Sequence, residues 1–306
     1  MRVRQTAWTP AERTEPDPDL PERAAALADL LRGRRATILT GAGISTPSGI
    51  PDYRGPDSPA RTPMTFQQFV GDPAFRRHYW ARNHLGWRHM EAARPNAAHR
   101  LLADWERRGL VAGVITQNVD LLHLKAGSRR IVDLHGSYAV VTCLGCGLRQ
   151  SRWALHEQLE LRNPGFAERM TSLGAIEVAP DADAVLSDTA GFAMVDCRRC
   201  SGVLKPDIVY FGENVPAHRV LEANALVDSA DLVVVVGSSL TVRSGYRFVR
   251  RAATTETTVA VVNRGHTRAH AEAALTVDGD CVEVLGLVEQ ALAGGPVRRR
   301  PAADAK

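Results

Sequence analysis

The 306-residue chain contains no run of about 18 apolar residues, so it offers no segment of the kind that crosses a bilayer as a helix. Residues 1–21 mix Arg with Glu, Asp and Pro and lack an apolar stretch. That excludes a secretory signal and argues against an acid-poor transit peptide, so residues 1–26 read as a disordered arm. Charge of one sign is not in excess: the formal net charge is +4, with basic residues spread along the chain. The one tight basic cluster, Arg298-Arg299-Arg300, has no aromatic residues interleaved with it. It reads as part of a solvated tail over 294–306, and no nucleic-acid or membrane partner is expected. No internal repeat is visible. Cysteine is scarce, with five in all, and four of them form two C-x-x-C pairs. A secreted disulfide framework is therefore not expected, and the thiol usage points to a reducing compartment, the cytoplasm.

The 44% hydrophobic fraction is that of a globular protein with a substantial core. Buried strands are expected at Ala36 to Thr40, Val111 to Thr116, Ile131 to Leu134, Asp207 to Tyr210, Asp231 to Val236, Thr258 to Val262 and Leu275 to Val277. Helical periodicity marks Pro21 to Gly33, Asn96 to Arg108, Trp153 to Leu161, Ala217 to Val227 and Gly245 to Ala252. Continuous apolar strands alternating with helices predict an α/β fold, a doubly wound parallel sheet whose ligand lies beyond the C-terminal strand ends. Two regions do not fit the sheet. Residues 56–95, rich in Pro, Arg, His and aromatics, suggest a small helical excursion. Residues 137–204 carry the cysteine pairs. The larger domain is then 27–136 and 205–293, with the smaller one inserted.

Cys143-x-x-Cys146 and Cys197-x-x-Cys200 supply four thiolates, the donor set of a closed tetrahedral zinc site. No coordination position is left open, so this zinc is expected to be structural. Gly41-Ala42-Gly43-Ile44-Ser45 follows a strand directly and suits a backbone that approaches a pyrophosphate, though a tight structural turn has the same composition. It is not G-x-G-x-x-G, and no acidic residue ends a second strand about 20 residues on, so a hydride-transfer enzyme is disfavoured. In Gly49-Ile-Pro-Asp52-Tyr53-Arg54-Gly55, Arg54 suits a phosphate and Tyr53 a ring; a punctuated surface loop is the plainer alternative. Gln117, Asn118, Val119 and Asp120 crowd a strand end, where they suit a ligand with a carboxamide and hydroxyls, or simply cap the next helix. His135 stands between Leu134 and Gly136 at another strand end, and an imidazole with its ordinary pKa near 6.5 suits proton transfer at neutral pH. Gly237-Ser238-Ser239 and Asn263-Arg264-Gly265 end two further strands and suit ribose and adenine, or are ordinary loop starts. Cys281 reads as a small residue packed against ligand or core, with no cation nearby to make it a nucleophile.

In this order the motifs resemble the sirtuins, NAD-dependent protein lysine deacylases, over roughly Leu27 to Ala293. The carriers are GAGIS at Gly41, GIPDYRG at Gly49, TQNVD at Thr116, LHG at Leu134, the cysteine pairs, KPDIVYFGE at Lys205, GSSL at Gly237 and VNRG at Val262. Tyr53, the long interval between cysteine pairs, Asn163-Pro164 and Ser244-Gly245-Tyr246-Arg247-Phe248 are similar to the class II branch, in a bacterial version. The resemblance implies a Rossmann-like NAD domain and NAD consumed as co-substrate, its pyrophosphate against Gly41 to Ser45 and Arg54. It implies Gln117 and Asn118 on the nicotinamide ribose, Asp120 and the Val119 backbone on the carboxamide, and His135 and Asn118 as catalytic positions. An acyl-lysine protein substrate would lie along Val209, Phe211, Gly212 and Glu213 and the loop after Gly237. Acyl transfer to ADP-ribose would release nicotinamide; mono-ADP-ribosyl transfer, removal of lipoyl groups or non-catalytic NAD sensing are the alternatives. Arg61 has no Tyr-x-x-Arg partner pattern, which gives a dicarboxylic acyl group little support. Oligomeric state is not legible in the chain.

Overall fold

The computed structural model describes residues 18–52, 64–172 and 189–294. Tyr53, Arg54, Arg61 and the Arg298–Arg300 cluster lie outside the described residues. The elements begin with α1 (Leu20–Leu31), β1 (Ala36–Thr40), α2 (Phe66–Gly71), α3 (Pro73–Ala92), α4 (Ala97–Arg107), β2 (Val111–Thr116), α5 (Leu122–Ala126) and β3 (Ile131–Asp133). Next come β4 (Gly136–Cys143), β5 (Arg149–Ser151), α6 (Arg152–Arg162), α7 (Phe166–Ser172) and β6 (Leu204–Ile208). The chain closes with α8 (Ala217–Asp228), β7 (Leu232–Val236), α9 (Arg243–Thr254), β8 (Thr258–Asn263), β9 (Leu275–Asp278) and α10 (Cys281–Ala293).

Six strands form a parallel sheet in the order β3-β2-β1-β7-β8-β9. Every residue of β1 and β7 is buried, as continuous apolar strands covered on both faces must be. One face packs Leu27, Leu31, Leu102, Trp105, Val284 and Val288 from α1, α4 and α10. The other packs Leu226, Val227, Phe248 and Val249 from α8 and α9. The strand order reverses between β1 and β7, and their ends are level, Thr40 opposite both Thr116 and Val236. A parallel sheet opens its ligand crevice at such a reversal.

The backbone meets tightly there. Gly237 has φ +63°, and a Cβ on it would sit 2.4 Å from the Ile44 amide nitrogen. A Cβ on Gly41 would sit 2.6 Å from the Ser238 Cβ. Only residues without side chains let these two loops cross.

Two expectations need correction. The folded chain starts earlier than Leu27: α1 begins at Leu20, and Leu20 and Ala24 are buried against α10 and β9. Asp19, Pro21 and Glu22 gave this first turn its solvated look, yet they are ordinary residues for a helix start. The strand expected at Asp207 to Tyr210 is β6, and it does not join the parallel sheet. It pairs antiparallel with β4, which also pairs with β5 in a separate three-stranded sheet. Apolar composition cannot distinguish the two sheets.

This second sheet carries the cysteines, and its core includes Val141, Leu155, Leu159, Phe192 and Leu204. α2 and α3 occupy the expected helical excursion and pack into the same core through Phe69, Tyr79, Trp80 and Trp87. Asn163 ties the returning chain down: its amide donates to Leu159 O and Ala193 O at 2.9 Å and accepts from Ala193 N at 2.7 Å.

Candidate active site and metal centre

Three loops meet beyond the ends of β1, β2 and β7, and their side chains bind them together. The Asn118 amide donates to Gly41 O at 2.9 Å and to Ser45 Oγ at 3.0 Å. Ser45, 1% exposed, donates in turn to Asp120 Oδ2 at 2.7 Å. Gln117 Nε2 donates to Ser238 Oγ at 2.8 Å and to Thr40 O at 3.2 Å. The residues expected at one ligand therefore lie in one connected cluster. Asp120 also serves the next turn by accepting from Leu122 N at 2.9 Å. Burial pushes its carboxyl above the ordinary aspartate value, against the opposing pull of the Leu122 and Ser45 bonds. Beneath the cluster, Thr40 Oγ1 donates to Thr116 Oγ1 at 2.9 Å and meets His123 Nε2 at 3.0 Å. Nothing in the sequence pattern singled out this threonine–histidine floor.

His135 lies between β3 and β4, where the chain leaves one sheet for the other. Its Nδ1 is 3.0 Å from Gln117 O, and a carbonyl only accepts, so the ring carries its proton on Nδ1. Nε2 is thereby the basic nitrogen, and Ser244 Oγ stands 2.8 Å from it. Burial lowers the ring's pKa to about 4, with Arg219 adding to the effect and the Gln117 bond opposing it. The ordinary value near 6.5 expected for it does not hold: the crevice wall strips water from the charged form. His135 is neutral at pH 7.

The Val209 amide donates to His135 O at 2.7 Å, so the expected substrate segment is anchored to the His135 backbone. Phe211 O accepts from Phe66 N at 2.9 Å, and Thr65 and Phe211 form a parallel bridge, which places α2 against this segment. The Glu213 carboxylate is turned inward, accepting from Tyr210 N at 2.9 Å and pairing with Lys205 Nζ at 3.1 Å. Gly212 O accepts from Gln67 Nε2 at 3.3 Å. Val209 is half-buried and Phe211 exposed.

At the far strand ends, Asn263 donates to Arg264 O at 2.7 Å and Gly265 O at 3.2 Å, and Asp278 accepts from Gly265 N at 2.8 Å. Arg264 reaches Asp280 at 3.4 Å. Ser239 Oγ lies 2.9 Å from Thr241 Oγ1. Cys281 is buried in the sheet core at the start of α10, and its Sγ would be 3.1 Å from a Cβ on Gly237. A cation, Arg264, does act on it, but burial dominates and pushes the thiol up to about 12, so it is a packing residue and not a nucleophile.

The four paired cysteines converge, with all four Sγ atoms within 4.8 Å of one another. Cys143 and Cys200 Sγ are 3.5 Å apart, and Cys146 and Cys197 Sγ 3.7 Å. A disulfide needs about 2.05 Å, whereas the edge of a zinc–thiolate tetrahedron with bonds of about 2.3 Å is about 3.8 Å. Gly145 N and Arg199 N each donate to a thiolate at 3.4 Å. The donor set fits a structural zinc.

A second group, His84, His156 and Glu160, also holds ligand-type atoms within 4.8 Å. Here the chemistry opposes a metal. Trp87 Nε1 donates to His156 Nδ1 at 3.0 Å, so the ring proton sits on Nε2, toward Glu160 at 3.6 Å. His84 Nε2 approaches the same carboxylate oxygen at 3.1 Å, and Arg152 and Arg88 place positive charge on both rings. The group is a carboxylate faced by two imidazoles.

The Sir2 family model matches residues 41–244. The chain belongs to the Sir2 family. It is 61% identical over 270 residues to NAD-dependent protein deacetylase 1 of Mycobacterium avium (strain 104), covering 88% of this chain and 96% of that one. It is 51% identical over 274 residues to NAD-dependent protein deacetylase 1 of Streptomyces coelicolor, covering 88% and 89%. The solved Sir2–p53 peptide–NAD+ complex superposes with a TM-score of 0.69 at 31% identity, covering 88% of this Sir2 chain and 98% of the other. As a Sir2 protein the chain uses NAD, and its four clustered cysteines supply the donors for a structural zinc. Among the described residues, no helix is long and apolar enough to cross a membrane.

Proposed function

We propose that this chain removes acyl groups, acetyl among them, from lysine side chains of proteins, consuming NAD, releasing nicotinamide and passing the acyl group to ADP-ribose. The observation that carries the proposal is the state of His135: neutral, its tautomer fixed by Gln117 O, with Nε2 as the acceptor nitrogen beside the bound loops. That is the form a general base needs before it takes a ribose hydroxyl proton.

The co-substrate supplies a glycosidic bond whose cleavage leaves an electrophilic carbon for the acyl oxygen. The chain's own residues do the rest. Gly41, Ala42, Gly43 and Ser45 present backbone at the pyrophosphate, while Gln117 and Asn118 hold the nicotinamide ribose. Asp120 and the Val119 backbone take the carboxamide. Ser238, Ser239, Asn263, Arg264 and Gly265 shape the distant ribose and adenine end, and Asp52 joins the dinucleotide contacts. Val209, Phe211 and Gly212 offer backbone to an extended acyl-lysine peptide. Glu213, whose carboxylate is engaged by Lys205 and Tyr210, shapes this edge from within. Cys143, Cys146, Cys197 and Cys200 hold zinc as a structural ion, and the thiolate set suits the reducing cytoplasm, where we place the protein.

The test is incubation of the zinc-loaded protein with NAD and a panel of acetyl-, longer acyl- and lipoyl-lysine peptides, reading both peptide mass and nicotinamide. Loss of acyl mass matched by nicotinamide is expected. Transfer of ADP-ribose to the peptide without acyl loss would replace the proposal with mono-ADP-ribosyl transfer, and no nicotinamide with any peptide would refute catalysis.

A further inference from the structure

The segment Ser244-Gly245-Tyr246-Arg247-Phe248 meets the site through the Ser244 hydroxyl beside His135. It forms the first turns of α9, a 12-residue helix held rigidly by Phe248, Val249 and Ala252, each 0% exposed. Its first turn reaches both sides of His135. Ser244 Oγ lies 2.8 Å from Nε2. Next to it, Gly245 faces Gln117 so closely that a Cβ would sit 2.6 Å from Gln117 Oε1. Gln117 O in turn receives the Nδ1 proton. A larger residue at 245 would drive the helix or the Gln117 side chain away, and the contact at 244 depends on that approach.

We propose that Ser244 is a positioning residue for the His135 base, holding the ring by Nε2 through a hydroxyl that serves both of its protonation states. With Nδ1–H committed to Gln117 O, neutral Nε2 can only accept, so Ser244 donates to it. Nε2 has a single in-plane lone pair, so the Ser244 O–H turns off it as the ribose hydroxyl delivers its proton, and the Ser244 oxygen then accepts from the new Nε2–H. Charge assistance makes the second bond the stronger. An alanine here removes the partner in both states, whereas a threonine keeps it. The inference rests on the deacylase reading for its kinetic consequence but not for its structural one.

The experiment compares the full-length zinc-loaded protein with Ser244→Ala and Ser244→Thr. It combines ring nitrogen NMR of 15N-histidine-labelled protein at neutral pH with steady-state kinetics on NAD and an acetyl-lysine peptide. The His135 signals, assigned by their loss in His135→Ala, should show Nδ1 protonated and Nε2 as a bonded acceptor. In Ser244→Ala the Nε2 resonance should move toward that of an unbonded imidazole nitrogen. In the same variant kcat should fall about two- to tenfold, the range of a single hydrogen bond, with KM for NAD unchanged. Ser244→Thr should restore both. An unchanged ring spectrum in Ser244→Ala overturns the inference whatever the rates, and so does a shifted spectrum with unaltered kcat. Failure of the underlying reading is separate: wild type itself would then release no nicotinamide.

Discussion

His135 owes its usable state to what surrounds it: a carbonyl fixes which nitrogen is basic, and burial keeps the ring uncharged at pH 7. Replacing it with alanine removes a side chain that closes no core, so His135→Ala should fold, bind NAD and lose about 100-fold or more of deacylation, the usual loss for a general base. Titration calorimetry with NAD beside the peptide assay checks both halves. Gly237 is the opposite kind of residue, doing its work by lacking a side chain. Gly237→Ala should destabilise by about 1–3 kcal/mol from the left-handed backbone alone, with more from the clash against Ile44 N, visible as a lowered urea midpoint. The sequence announced both residues, because a glycine after an apolar strand and a histidine before a glycine are local patterns. Ser244 was marked only as part of a stretch similar to one branch of the family: its place beside His135 comes from α9 approaching the β3–β4 junction across 109 positions of chain.

At the scale of elements, helix starts and knuckles are where short sequence patterns determine structure. Asn96 caps α4 by accepting from Ala98 N at 3.0 Å, and its amide also donates to Ile44 O at 2.8 Å, in the loop that presents Ser45. Asn96→Ala should cost about 1–2 kcal/mol, the upper part of the range for a lost cap, and should also weaken NAD binding, measured by denaturation and calorimetry on one preparation. Cys197→Ser should give protein without bound zinc by elemental analysis and with the β4–β6 lobe open to proteolysis, because metal binding supplies much of such a lobe's folding energy. The cysteine spacing and the parallel strands were legible in advance because each depends on neighbours in sequence. The partner of β6 was not: Leu204–Ile208 has the apolar character of a sheet strand, and only its register with β4 assigns it to the smaller sheet.

Across the whole molecule, buried imidazoles set the response to acid. His99, His135 and His156 are lowered to about 4 and His84 to about 3, all chiefly by burial, and His123 is lowered well below its ordinary value. Each binds its proton less readily folded than unfolded, so the unfolded chain takes up more protons once pH drops below about 6.5. Stability is therefore fully present above that pH and is lost progressively down to about 4. Asp133, pushed up to about 6 by burial, and Asp120, also raised by burial, work in the opposite sense but are outnumbered. Melting temperatures measured from pH 7.5 to 4.5 should fall throughout the lower half of that range. A flat profile would contradict the burial of these rings.

The hydrogen bond from Val209 to His135 O gives the two sheets a shared fate. β4 departs from His135, the proposed base, β6 arrives at the proposed peptide edge, and the cysteine knuckles clasp their far ends. The lobe thus acts as a splint across a joint. Stripping the ion with a chelator should leave the six-stranded body standing while the base and the peptide edge drift out of alignment together, a molecule that still grips its dinucleotide and can no longer spend it.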